Sequence, residues 1–168
     1  MKKLKRLLRE ALLMLLLIAG VVYALDSFRA PQAPLTFADQ QLQTIDGETV
    51  TLAALSDQRP LLVYFWASWC GICRYTTPAV AAMSDGGANV ISVALRSGEA
   101  QNVTDYLQAK GYRLPVVNDE KGMLSSRWQV GVTPTLVIIN KGEVVSSTTG
   151  WTSSWGMKLR LWWAEKKP

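Results

Sequence analysis

The chain has 168 residues, 49% of them apolar and 18% charged, with a formal net charge of +5. That length suits one domain with an ample core, which excludes a globally disordered chain. Lys2, Lys3, Lys5, Arg6 and Arg9 face only Glu10 in the first ten positions, and beyond them 13 basic residues balance 12 acidic ones. The basicity is therefore a terminal feature, and nucleic-acid binding loses its main support.

After the basic tail, residues 1–10, comes ALLMLLLIAGVVYAL, Ala11–Leu25, uncharged and almost wholly apolar. Basic first and apolar next is a membrane-targeting pattern. As a helix the uninterrupted run is about 22 Å long. Leu7, Leu8 and Phe28 can lengthen it while Arg9 snorkels to the interface, so residues 11–28 read as a transmembrane anchor. A cleaved signal peptide is the rival, with VYA (Val22–Ala24) offering the small residue for a cut. Pro31 just beyond it hinders cleavage, which favours an uncleaved anchor. The positive-inside rule then puts the remainder outside the cytoplasm, in the periplasm of a bacterial inner-membrane protein. DSFRAPQAPL, Asp26–Leu35, carries two prolines and no helical or strand period, so a stalk over 29–35 precedes a folded domain at 36–168.

The domain alternates strand and helix patterns. FADQQLQTIDGETVTLAAL holds Asp46-Gly47 between strand-like segments and predicts a hairpin. PLLVYFWA is apolar on both faces, as a central strand covered by helices would be, and NVISVAL is a second such run. Ser97 is expected to cap a helix carrying Val103, Tyr106, Leu107 and Lys110 and ending at Gly111. LPVVN predicts a short strand, GMLSSRWQV a short helix, and TPTLVIINKGEVVSSTTG a hairpin broken at Lys141-Gly142. A helix over Ser153–Lys166 puts Trp155, Leu159, Trp162 and Trp163 on one face, and these aromatics are expected to pack in the core.

Both cysteines, Cys70 and Cys73, lie in YFWASWCGICRYTTP at the end of the first apolar strand. A strand–CxxC–helix order puts the first sulfur at the positive end of the helix dipole, where it ionises easily, and the second one turn inside. A structural disulfide at this spacing would restrain the unfolded chain little. Zinc wants four Cys or His ligands, and the chain has two Cys and no His. Redox chemistry is the favoured reading. A Cu(I)-binding module remains as the alternative, a two-coordinate site at most.

FWASWCGICR, Pro78 and GVTPT (Gly131–Thr135) together resemble the thioredoxin superfamily. The N-terminal anchor, the TIDGETVTLAAL hairpin and the stretch from Tyr106 to Val145 resemble its TlpA-like branch of extracytoplasmic oxidoreductases. Within that branch the chain is most similar to the membrane-tethered members of bacterial suppressor-of-copper-sensitivity clusters. The resemblance implies an α/β thioredoxin fold: a central mixed sheet flanked by helices, with an N-terminal β-hairpin, a TlpA-type central insertion and one transmembrane helix ahead of it. It also implies a thiol-disulfide oxidoreductase whose only redox group is the Cys70–Cys73 pair, without metal or cofactor. Its partners would be protein thiols and disulfides and a membrane or periplasmic redox protein. Cys70 would be the nucleophile and Cys73 the resolving thiol. Trp69, Gly71, Ile72, Thr133 and Pro134 would meet substrate, with a cis Thr133-Pro134 bond opposite the cysteines leaving a backbone edge open to a substrate strand. Trp66 would lie in the core, and Pro78 would kink the active-site helix.

Three departures limit the resemblance. Tyr64 stands where cytoplasmic thioredoxins have a buried acid. Thr76 stands where haem-maturation members commonly carry a glutamate, which weakens a cytochrome-maturation role. Gly71-Ile72 lacks the histidine of the strong oxidases, which leaves the helix terminus as the chief stabiliser of the thiolate.

Overall fold

The computed structural model describes residues 2–167, without the side chains of Lys2, Asp26, Phe28 and Arg29. The expected contribution of Phe28 to the anchor lies outside the described residues. In chain order the elements are α1 (Lys2–Arg29), β1 (Gln41–Gln43), β2 (Thr49–Thr51), α2 (Leu52–Ser56), β3 (Leu61–Trp66), α3 (Cys73–Asp85) and β4 (Val90–Leu95). There follow α4 (Ala100–Lys110), β5 (Val116–Asp119), α5 (Met123–Arg127), β6 (Thr135–Asn140), β7 (Glu143–Thr149) and α6 (Ser154–Lys166).

Five strands form one mixed sheet in the order β5-β4-β3-β6-β7, with β3, β4 and β5 parallel and β6 and β7 antiparallel to their neighbours. This is the thioredoxin fold, with α4, β5 and α5 between β4 and β6. All six residues of β3 are buried, as expected of a strand covered on both faces. Its side chains alternate between two cores. Leu62, Tyr64 and Trp66 meet Val80 and Met83 of α3, Val103 and Leu107 of α4, and Met157 and Ala164 of α6. Leu61, Val63 and Phe65 face the other way, against Leu42, Leu52 and Trp128. Each such aliphatic side chain taken fully out of water contributes about 1.5–3 kcal/mol, so β3 fixes the place where the CxxC turn begins.

The turns form where their residue types place them. Asp46-Gly47 joins β1 to β2, and Lys141-Gly142 joins β6 to β7 in a two-residue turn whose φ angles, +51° and +77°, are those of a primed hairpin turn. Gly111 ends α4 in the left-handed conformation, with its N–H returned to Gln108 and Leu107 carbonyls.

Four expectations change. The helix α1 takes in the basic tail and runs on to Arg29, because Leu, Lys and Arg are all good helix formers and Pro31 is the first residue to forbid continuation. The stalk is docked: the Gln32 N–H donates to Trp128 O (3.0 Å) and Ala33 packs on the core beside Phe37. Chain order therefore begins four residues before Thr36. Ser97 does not cap α4; Glu99 holds the N-cap position without a side-chain bond, and the Ser97 hydroxyl works in the active-site turn instead. Finally, α6 buries Met157 and Ala164, while Trp155, Leu159, Trp162 and Trp163 face solvent, at 82%, 59%, 53% and 60% exposure. The same 3.6-residue spacing defines both faces of this helix, and the sheet accepted the slimmer one.

Candidate active site

The chain leaves β3 at Trp66 and turns tightly, with the Cys70 N–H donating to Ala67 O (3.2 Å), before α3 starts at Cys73. Two side-chain devices hold that turn against the β4–α4 loop. The Ser68 N–H donates to Ser97 Oγ (2.9 Å), whose own proton goes to Leu95 O (3.2 Å). The Trp69 indole Nε1–H donates to the carbonyl of Arg96 (3.0 Å), which is itself held at φ +45°.

Cys70 and Cys73 are joined as a disulfide with Cα atoms 5.3 Å apart. They are not equivalent. Cys70 is half-buried, and its Sγ accepts the Cys73 backbone N–H at 3.1 Å, at the start of α3. Cys73 is 1% exposed and faces the core. A negative charge appearing on Cys70 would meet an N–H donor and the positive end of the 13-residue helix α3. On Cys73 it would appear in apolar surroundings that oppose ionisation.

Opposite the pair, Thr133-Pro134 is a cis peptide, and Thr133 O lies 3.5 Å from Cys70 Sγ. In the disulfide that is a contact between two acceptors; once reduced, the Cys70 thiol can donate to the carbonyl. The loop is braced on both sides, since Thr135 Oγ1–H donates to Val132 O (2.6 Å) and the Gly150 N–H to Pro134 O (2.8 Å). Trp69, Gly71, Ile72, Thr133 and Pro134 thus come together with the disulfide, although Pro134 itself is buried. Trp66 is fully buried and stacks at 5.5 Å on Tyr106. Pro78 lies inside α3. The sequence reading did not single out Tyr75, in the first turn of α3, and Val132, next to Thr133, both exposed apolar residues close in sequence to the motif, like Trp69 and Ile72. Tyr75 lies three residues after Ile72, a spacing that puts the two on one helix face.

Tyr64 and Thr77 occupy the core behind the cysteines. Both are fully buried, and their hydroxyls are 2.8 Å apart. Burial pushes the Tyr64 phenol far above its ordinary value, and the Thr77 hydrogen bond offsets this only in part, so Tyr64 stays neutral through the physiological range. Among the described residues no three His, Cys, Asp or Glu side chains gather as a metal site.

A CxxC disulfide at the end of the central strand, capped by a helix and faced by a cis-proline loop, defines the thioredoxin class of redox protein. The chain belongs to the AhpC/TSA family, whose pattern matches residues 32–148. It is 44% identical over 163 residues to a thioredoxin-like protein of Haemophilus influenzae, covering 97% of this chain and 98% of that one. Sporulation thiol-disulfide oxidoreductase A of Bacillus subtilis is 29% identical over 156 residues, covering 87% and 90%. Among solved structures, the exposed lipoprotein thioredoxin of Streptococcus pneumoniae superimposes with a TM-score of 0.60 at 27% identity, covering 73% of this chain and 96% of that one. The chain is a thiol-disulfide oxidoreductase with Cys70 and Cys73 as its CxxC pair.

Proposed function

We propose that this oxidoreductase works on the outer side of the bacterial inner membrane, with residues 1–10 in the cytoplasm, 11–28 spanning the bilayer, 29–31 as the link and a catalytic domain that begins at the docked Gln32. Five basic residues precede the apolar run, and α1 is long and apolar enough to cross a membrane, with none of Lys3–Leu25 buried against the domain. The exposed lipoprotein among its structural relatives supports the same side.

The observation that carries the chemistry is the asymmetry of the cysteines, one half-exposed with an N–H on its sulfur and the other buried behind it. In the reducing direction the Cys70 thiolate attacks one sulfur of a substrate disulfide. A Cys70–substrate S–S bond forms, the substrate S–S bond breaks, and the leaving thiolate takes a proton. Cys73 then loses its proton and attacks Cys70 Sγ, re-forming the Cys70–Cys73 disulfide and expelling the second substrate thiolate. The substrate gains two electrons and two protons, and the enzyme dithiol loses them. A membrane or periplasmic thiol protein restores the dithiol, and the same steps reversed oxidise a dithiol. Trp69, Gly71, Ile72 and Thr133 receive the substrate chain, with the Thr133 backbone as the edge beside the reacting sulfur and the buried Pro134 holding that edge in place. No step requires a cofactor.

Cys73→Ala tests this assignment: it should accumulate mixed disulfides through Cys70, whereas Cys70→Ala should accumulate none. Mixed disulfides through Cys73 would overturn it. A role in copper tolerance is part of this proposal, motivated by the sequence resemblance to suppressor-of-copper-sensitivity members. Deleting its gene should lower growth in copper, with rescue by wild type and not by Cys70→Ala; unchanged growth would remove the copper link.

A further inference from the structure

Four of the seven tryptophans, Trp151, Trp155, Trp162 and Trp163, are exposed on or just before α6, and Leu159 lies among them. Trp66 and Trp128 are buried and Trp69 serves the active site, so this face accounts for all the rest. Lys158 and Lys166, both exposed, flank the aromatic stripe. A shallow groove beside Leu159 and Trp163 carries the apolar surface on to Val145 of the edge strand β7, where Arg160 Nη1–H ties the helix to Ser146 Oγ (2.7 Å).

We propose that the outer face of α6 rests on the surface of a lipid bilayer, with its indole rings at headgroup level and its lysines toward anionic phosphates. This rests on α1 spanning the membrane, as proposed above. Tryptophan is enriched both at protein interfaces and at membrane surfaces, so composition alone leaves the occupant open. Position decides. The apolar span ends at Leu25, and α1 continues through Arg29, about 6 Å further at a helical rise. Only Ala30 and Pro31 separate Arg29 from the docked backbone of Gln32, three steps and at most about 10 Å of extended chain. The headgroup layer itself takes up about 5–8 Å of that distance, so the domain is held against the membrane surface. The helix α1 also approaches β7, and the groove beside Leu159 and Trp163 opens on Val145 of that same edge strand, so anchor and aromatic face share the β7 edge of the sheet. A face of this composition, kept at that height, lowers its free energy by entering the interface.

The test uses the full chain reconstituted in phosphatidylcholine–phosphatidylglycerol vesicles whose acyl chains carry bromine near the headgroups. No tryptophan precedes Trp66, so emission reports the folded domain alone. Emission should fall about twofold relative to unbrominated vesicles, since over half of the tryptophans would sit at lipid depth. The variant Lys158→Glu/Leu159→Glu, which keeps every tryptophan, should recover most of that emission while reducing insulin at the wild-type rate. Carbonate extraction of the same vesicles reads α1 separately. A chain that resists extraction but is not quenched would overturn the lipid contact and leave the tether standing. A chain that is extracted yet quenched would keep the lipid contact and remove the tether; one extracted and unquenched would remove both. Emission indifferent to bromine but shifting with protein concentration would assign the face to a second copy and overturn the proposal.

Discussion

Thr77→Val removes the hydroxyl that faces Tyr64 while keeping the shape of the side chain. Both residues are fully buried and their oxygens are 2.8 Å apart, so the phenol would be left without this partner. An unsatisfied buried polar group costs about 1–3 kcal/mol. Tyr64→Phe strands Thr77 in the same way, whereas the double variant removes both polar atoms and should cost less than the two singles together. The coupling should be about 0.5–3 kcal/mol, as for a directly bonded pair. Urea unfolding of the domain from Ala30 onward is a suitable assay, because none of Lys3–Leu25 is buried against it. A loss of 2 kcal/mol should move the midpoint by about 1 M. Titration adds a second reading. The folded state holds the Tyr64 proton above the ordinary 10.0, whereas the unfolded chain releases it there. The contribution of Tyr64 is therefore complete below about pH 10 and is lost as the pH climbs toward its raised folded value. Tyr64→Phe should lose stability less steeply above pH 10 than wild type. Strictly additive single effects, or identical alkaline slopes, would refute the buried hydrogen-bonded pair.

Ser97→Ala should destabilise the domain by about 1–3 kcal/mol, because the Ser68 N–H loses its acceptor in the active-site turn; chemical denaturation checks it, and a neutral variant would contradict the brace. Trp69→Phe keeps the ring but loses the bond to Arg96 O, so KM for a protein disulfide should rise more than kcat falls; equal effects on both would argue for a role in the chemical step instead. A periplasm-dependent reporter fused to the C-terminus should be active and the mature N-terminus intact; an inactive reporter would reject the orientation, and a terminus near Leu25 the uncleaved anchor.

Much of the sheet was legible because its strands are apolar on both faces and its hairpins turn on Asp46-Gly47 and Lys141-Gly142. The two cysteines were legible for the same reason, since a CxxC at the end of such a strand must begin the next helix. Ser97 was misread because a serine ahead of a helix can satisfy either the helix or a distant N–H, and only the approach of Ser68 decides between them. The tryptophans of α6 were misread because periodicity groups side chains on a face without saying what lies opposite. Here Met157 and Ala164 fit against the sheet and the larger rings do not. Tyr75 and Val132 carry no pattern beyond their nearness to the motif, and their exposure follows only from the structure, where the cis-proline loop meets Cys70 through Thr133 O.

The division of labour between the cysteines is tested most directly by alkylation of the reduced chain across pH, with each cysteine read by peptide mass. Cys70, half-exposed and with the Cys73 N–H on its sulfur, should react at least about tenfold faster than the buried Cys73 near neutral pH. Equal rates, or faster modification of the buried Cys73, would contradict Cys70 as the nucleophile.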